Sequence, residues 1–274
     1  ATPTGLRAYQ SGNNSVKMEW TTNQTANIDS WEIEYGSMGF TPGSGTVISV
    51  NSNPYQLEGL IPFAKYEFRV RNNCGNGIYG DWSEKYAFRN SCAVSTPFSE
   101  NFDQYNASEN NTPSGIQNFC WTPSNANVAG LLKYVPFETI NSNPNAAQLS
   151  YYGNNAASGI HHKPGMLSSP YLADFGNDKR VKFWAKRDGG ETNLIVGTIE
   201  NPLDYTTFEP YTTISLNDIP LVGKEFNIDF SNYSGTNKHI AFLHGGNDTY
   251  TYIFIDDIYY DVIPLCLEPT NILA

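Results

Sequence analysis

The 274-residue sequence is poor in basic charge: 16 Lys and Arg stand against 27 Asp and Glu, a formal net charge of −11 at pH 7. That sign excludes a surface built to neutralise phosphates, so nucleic acid is not an expected ligand. There is no run of 18 or more consecutive apolar residues, which excludes a membrane-spanning helix from this segment. Residues 1–20 also lack the basic start and apolar stretch of a signal peptide, so any such peptide is expected to lie upstream or to have been removed. Helical periodicity of useful length is missing. So are a GxSxG elbow, an HExxH helix and a phosphate-binding loop, which leaves catalysis without a nucleophile or metal motif. Methionine is scarce at 3, and the 4 cysteines form no CxxC pair of the kind a zinc site uses.

What the chain does contain is the composition of an all-β protein. Five Trp, 18 Tyr and 15 Phe, with 23 Gly and 16 Pro among dense Asn, Ser and Thr, favour short strands joined by tight turns. A hydrophobic share of 39% with 16% charged residues is globular, and the length suggests two domains. Charge is uneven along the chain: residues 1–91 hold 7 basic and 8 acidic side chains, and residues 92–274 hold 9 and 19. Such acidity commonly keeps a surface soluble, yet clustered carboxylates are also what hard cations require.

Period-two alternation marks the first strands. In SVKMEWTT, Val16, Met18 and Trp20 alternate with Lys17, Glu19 and Thr21; Trp31, Ile33 and Tyr35 repeat the pattern; Tyr66, Phe68 and Val70 alternate with Glu67, Arg69 and Arg71. LEGLIPFAKY reads as a turn into a strand, and Trp82 and Ser83 open a last strand through Tyr86 and Phe88. Seven short strands in about 90 residues read as an immunoglobulin-like sandwich. With Pro3 at its first strand, Trp20 and Tyr35 in strands, and Leu60, Pro62 and Tyr66 at a strand corner, residues 1–91 resemble a fibronectin type III domain. The resemblance implies a fold and no activity, with Trp20, Tyr35 and Tyr66 serving core packing and a tyrosine corner.

From residue 96 the strands are separated by long polar stretches such as GIQNFCWTPSN and NAAQLSYYGNNAASG, read here as loops. The clearest strands are residues 181–186, 193–200, 211–216, 225–230, 239–244 and 250–262, with PFSENFD and SSPYL added, a count that fits a jelly-roll β-sandwich. In their order, PFSENFD, CW at 120 and 121, LSSPYL, VKFWAK, VGTIENPLDYTTFEPYTTISL, IAFLH and FIDDI resemble the MAM-like jelly roll known as the cleaved adhesin domain. That family occurs in bacterial surface adhesins and gingipain-type secreted proteases. Over residues 92–264 the resemblance implies an extracellular, non-catalytic sandwich, often stabilised by calcium. Residues 265–274 read as the start of a further fibronectin-like repeat, because Pro269-Thr-Asn-Ile-Leu-Ala274 copies Pro3-Thr-Gly-Leu-Arg-Ala8.

In a fibronectin-type sandwich Cys74 ends one strand and Cys92 follows the next at the opposite pole. Seven or more residues at about 3.3 Å each separate them by more than ~20 Å, beyond the ~7 Å Cα limit of a disulfide. Cys266 precedes Pro269 by three, so the repeat would place its counterpart three residues before Pro3, ahead of Ala1 and at the pole of Cys74, which leaves Cys92 and Cys120 as the expected bridge. Four reduced, buried thiols are the alternative.

Ca²⁺ is the expected cofactor, and its candidate ligands lie in the first and last strands. Within FSENFD, Phe98 and Phe102 are expected to face the core, placing Asn101 and Asp103 on the opposite face and Glu100 on the aromatic side. In IFIDDIYYD, alternation points Asp256 and Asp257 to opposite faces, so one carboxylate meets an apolar layer and demands a partner. Asp103 and Asp257 are the preferred ligands, then Glu100 and Asp256; carboxylates satisfied by backbone amides are the alternative. His161 and His162 read as ordinary surface imidazoles. Tyr151, Tyr152, Tyr205, Tyr211 and Tyr250 are candidate ligand contacts for a sugar or a protein surface.

The functional expectation is an exported adhesion fragment whose jelly roll presents loops to a glycan or a host extracellular protein, beside neighbouring repeats of the same chain. The competing expectation is a structural spacer or accessory of a secreted protease or glycosidase. Peptide mapping of non-reduced protein tests the cysteine reading: a Cys92–Cys120 crosslink is expected with Cys74 and Cys266 alkylatable, whereas a Cys120–Cys266 crosslink overturns the repeat argument.

Overall fold

The computed structural model describes residues 2–12, 14–22, 30–62, 64–103, 120–124, 129–133, 141–142, 145–151, 164–188, 192–246 and 251–265. The chain divides into two compact units, Ala1–Ala93 with Asn201–Leu203, and Val94–Glu200 with Asp204–Ala274. Both are β-sandwiches. Among the described residues strand makes up 56% and helix 3%, so no helical layer contributes to the described part of either core. Among the described residues no helix is long and apolar enough to cross a membrane.

The first unit contains β1 (Thr4–Gly12), β2 (Ser15–Thr21), β3 (Ser30–Ser37), β4 (Thr46–Val50), β5 (Tyr55–Leu57), β6 (Lys65–Asn73) and β7 (Tyr86–Arg89). One sheet runs β1-β2-β5 and the other β4-β3-β6-β7. Alternation decides which side chains meet between them: Val16, Met18, Trp20, Ile33, Phe68 and Val70 are buried in one cluster. Tyr66 packs flat on Phe88, ring centroids 5.6 Å apart. Its hydroxyl accepts the Ile61 amide at 3.0 Å, closing the corner before β6.

Two features depart from simple alternation. Glu34 is fully buried in the middle of β3. Its carboxylate accepts the Gly43 and Gly45 amides at 2.8 and 2.9 Å and the Arg69 Nε at 2.6 Å, so the buried charge is paired and hydrogen-bonded. The last strand begins at Tyr86 rather than Trp82. The Ser83 hydroxyl takes the Val70 amide at 3.0 Å in place of a regular strand carbonyl. The guanidinium groups of Arg69 and Arg71 meanwhile lie 4.5 and 4.6 Å from the Trp82 ring centre. Residues 82–85 therefore follow β6 through these side-chain contacts and one backbone bond, the Ser83 amide to the Val70 carbonyl at 2.9 Å, without forming a ladder.

The second unit comprises β8 (Ala93–Val94, at the boundary), β9 (Phe98–Glu100), β10 (Thr122–Ser124), β11 (Ala129–Lys133), β12 (Asn145–Tyr151), β13 (Met166–Ser168), β14 (Tyr171–Leu172), β15 (Lys179–Asp188), β16 (Leu194–Ile199), β17 (Phe208–Ile214), β18 (Lys224–Asp229), β19 (His239–His244) and β20 (Thr251–Val262). Its sheets run β10-β13-β19-β16-β17 and β11-β12-β20-β15-β18, with β9 added to β20. Phe183, Ile253, Ile255 and Ile258 from one sheet meet Leu194, Val196, Ile240 and Phe242 from the other in a shared core that also buries Trp121.

The stretch read from sequence as a long polar loop contains β12. All seven of its residues are buried, because it lies between β11 and β20 inside the sheet. Ala146, Ala147, Gln148 and Ser150 carry too little apolar or β-branched character to announce such a strand.

Two histidines are locked into this unit. His239 Nδ1 donates to the Ser169 carbonyl at 2.9 Å. The Gly246 amide donates to His244 Nδ1 at 3.0 Å, which puts the proton on Nε2, facing the Thr251 hydroxyl at 3.0 Å. Burial pushes both imidazoles down from 6.5 to about 4. They stay neutral in the fold while the unfolded chain protonates near 6.5, so their stabilisation is full above that pH and is lost as pH falls toward 4. Each contributes on the order of 3 kcal/mol at the limit. Asp256, pushed up to about 7, acts in the opposite sense, leaving two protons against one over this window. The melting temperature of the second unit should therefore fall between pH 6.5 and 4.5, with the His239 and His244 imidazoles neutral by NMR at pH 5; assignment of a titration near 6.5 to His239 or His244 contradicts this.

Candidate metal centre

The carboxylates singled out from sequence gather where β9 ends and β20 changes phase. Along β20 the inward residues are Ile253 and Ile255, then Ile258 and Tyr260, so parity switches between them. The switch is a β-bulge: β15 residue Trp184 pairs with Asp256 and Lys182 with Tyr259, setting one extra β20 residue into the gap. Asp257 occupies it with φ 44°, a left-handed conformation usually left to glycine. Strict alternation, which would send Asp256 and Asp257 to opposite faces, does not survive this bulge. Neighbouring residues of one segment contact both carboxylates: the Asn141 amide donates to Asp257 at 2.6 Å, and the Ser142 backbone amide donates to Asp256 at 2.8 Å.

The β9 side also differs from the expectation. β9 stops at Glu100, and Phe102, fully buried, adopts φ 60°. Asp103 is consequently not a strand residue with a fixed face. Its carboxylate accepts the Asn101 side-chain amide at 2.8 Å and the Asn145 backbone amide at 3.2 Å. Glu100 turns onto the Phe102 amide at 2.8 Å. Two non-glycine residues in the left-handed region each cost about 1–3 kcal/mol, a cost that recurs at ligand clamps and other functional sites.

Asp256 is the electrostatic centre of this arrangement. It is fully buried, and burial pushes its carboxyl up to about 7. The Ser142 amide opposes the rise, and the like charges of Asp257 and Asp103 add to it. Asp103 and Asp257 lie close enough for their charges to bear on Asp256, and carboxylate oxygens are the kind of donor Ca²⁺ takes. Among the described residues, however, no three His, Cys, Asp or Glu side chains converge into a metal cage. The carboxylate oxygens are engaged by amide donors instead.

The candidate ligand tyrosines separate. Tyr151 is buried, its ring 6.0 Å from that of His244, an interior position rather than a contact platform. Tyr211 is half-buried, stacks on Phe230 at 4.7 Å and donates to the Asp229 carbonyl at 2.9 Å. Tyr205 packs against Ile199 and its neighbours, and burial raises its hydroxyl pKa. Tyr152, Tyr250, His161, His162 and Cys266 lie outside the described residues. Cys92 and Cys120 are disulfide-bonded, and Cys74 is a free, half-buried thiol.

Sequence reasoning missed Asp174. It accepts the Thr96 hydroxyl at 2.6 Å and the Tyr260 hydroxyl at 3.0 Å, and so ties the entry of the second unit to β20. Nothing local marks it, since its partners lie 78 and 86 residues away.

Residues 1–89 match the family model of the fibronectin type III domain. No curated protein matches the chain. Among solved structures, the chain is similar to the K2 cleaved adhesin domain of Lys-gingipain, at 17% identity over 61% of this chain and 100% of that one, TM-score 0.45. The K1 cleaved adhesin domain of Lys-gingipain from Porphyromonas gingivalis W83 aligns at 16% identity over 62% and 99%, TM-score 0.43. A fibronectin type III domain of human contactin 1 aligns at 18% identity over 34% and 78%, TM-score 0.30. The sequence match and the two-sheet strand order agree in giving residues 1–89 the fold of a fibronectin type III domain.

Proposed function

We propose that this chain is a non-catalytic, extracellular binding fragment in which a fibronectin type III domain accompanies a jelly roll that contacts a glycan or a host protein. The observation that carries the reading is the pairing of a fibronectin type III match over residues 1–89 with a second β-sandwich. The disulfide-bonded state of Cys92 and Cys120 supports an oxidising, extracellular setting. Two of the most shifted titratable groups outside the carboxylate cluster, His239 and His244, are engaged in buried structural bonds, as is Tyr260, which leaves them serving stability. In this reading Ca²⁺ is a structural ion: Asp103, Asp256 and Asp257 would hold it, and its charge would offset their mutual repulsion.

The test is a glycan array and a plasma-protein pull-down with the whole chain, each run with Ca²⁺ and with a chelator. Reproducible capture of a glycan or protein, stronger with Ca²⁺, is the expected result. Silence in both assays contradicts the binding role and favours a spacer or accessory of a secreted enzyme.

A further inference from the structure

A sheet ends in strands whose outer backbone groups lack a partner. Such an edge is a template for another strand unless a charge, a proline, a bulge or a short length blocks it. Most of the described edges of this molecule carry such a block. β1 contains Arg7 and two register shifts. β5 has three residues and follows Pro54, and β7 ends in Arg89. In the second unit β10 contains Pro123, β11 ends in Lys133, β17 contains Pro210, and β18 begins with Lys224.

β4 differs from all of these. Its five residues, Thr46-Val-Ile-Ser-Val50, include no charge, proline or glycine. They pair with β3 in unbroken register, and among the described strands β3 is their one hydrogen-bonded neighbour. Thr46, Val47 and Ser49 are exposed, Val47 by 49%. The absence of charge extends well past the strand: no Asp, Glu, Lys or Arg occurs between Glu34 and Glu58.

We propose that β4 is the docking edge for a second copy of this chain, which adds its own β4 antiparallel about a two-fold axis at Ile48. Three properties of the strand fit that occupant. The first is face matching: the two-fold register sets Ile48 opposite Ile48, Thr46 opposite Val50 and Val47 opposite Ser49. Core-side residues then meet core-side residues, with Val50 buried and Ile48 half-buried, and the solvent-side pair Val47 and Ser49 meet each other. A register shifted by one residue would break that match. The second is charge. No ionised side chain meets its own copy across the axis, and residues 1–91, with 7 basic and 8 acidic side chains, carry little of the chain's −11. The third is composition: β-branched residues opposite one another are favourable cross-strand pairs, and in a two-fold interface each off-axis pair occurs twice.

The test uses the full chain with Cys74→Ser and with Cys266 alkylated, so that neither unbridged thiol can crosslink. Sedimentation equilibrium should show a concentration-dependent dimer. The variants Val47→Lys/Ser49→Lys and Val47→Glu/Ser49→Glu alter exposed positions, and each should self-associate at least about tenfold more weakly, ~1.4 kcal/mol. Mixing the two variants should restore dimerisation, because Lys then faces Glu across the axis. A chain that stays monomeric up to its solubility limit overturns the proposal. So does a dimer insensitive to both charge variants, or a mixture without recovery. If the variants fail to fold, amide exchange of the Cys74→Ser chain decides: protection of Thr46–Val50 should rise with concentration, and unchanged protection overturns the proposal.

Discussion

The second unit is organised around a carboxylate buried in the middle of its longest described strand. β20 runs for 12 residues and pairs with β12, β15 and β9. A strand that long must keep its apolar side chains on one face or change phase once, and this one changes phase at Asp256 and Asp257. Before the bulge its core residues are Ile253 and Ile255; after it they are Ile258 and Tyr260. Without the extra residue, either half of the strand would turn its apolar side chains away from the core. The bulge lets one strand serve two registers, and the cost is a charged side chain left in a fully buried position.

That cost has a sign. A carboxyl held up near 7 in the fold and near 3.8 when unfolded destabilises the folded state above pH 7, and the penalty is relieved as pH falls. The like charges of Asp257 and Asp103 add to it. Uncompensated, the arrangement is an electrostatic weakness in a unit already rich in acidic residues. In the proposed reading a divalent cation would offset that weakness by joining the end of β9 to the bulge of β20. The left-handed residues Phe102 and Asp257 lie at these two places, one beyond the end of β9 and one in the bulge of β20.

Much of the architecture was legible because alternation survives wherever a strand has one wet face. Val16, Met18 and Trp20, and Tyr66, Phe68 and Val70, are buried in the order that the sequence pattern implies. Legibility failed in three physical circumstances. β12 is buried on both faces and built from small and polar residues, so neither periodicity nor β-propensity marks it. The bulge at Asp257 is invisible because the left-handed position carries an aspartate where a glycine would have signalled it. Glu34 and Asp174 owe their roles to partners brought in by tertiary structure, the Arg69 guanidinium and the Tyr260 hydroxyl. The placement of Asp103 and Asp257 was not legible, because both depend on backbone conformations that alternation does not describe.

The account depends most on the ionisation of Asp256, which can be read directly by NMR titration of isotope-labelled aspartate carboxyls. In the presence of a chelator, one carboxyl should titrate near 7, and that signal should be missing from the Asp256→Asn variant. Adding Ca²⁺ should draw the midpoint below the ordinary aspartate range of about 3.9. A chain in which every aspartate titrates below about 5 with chelator present, or in which Ca²⁺ leaves the midpoint of Asp256 unmoved, contradicts the claim that this buried carboxylate is the centre of a cation site.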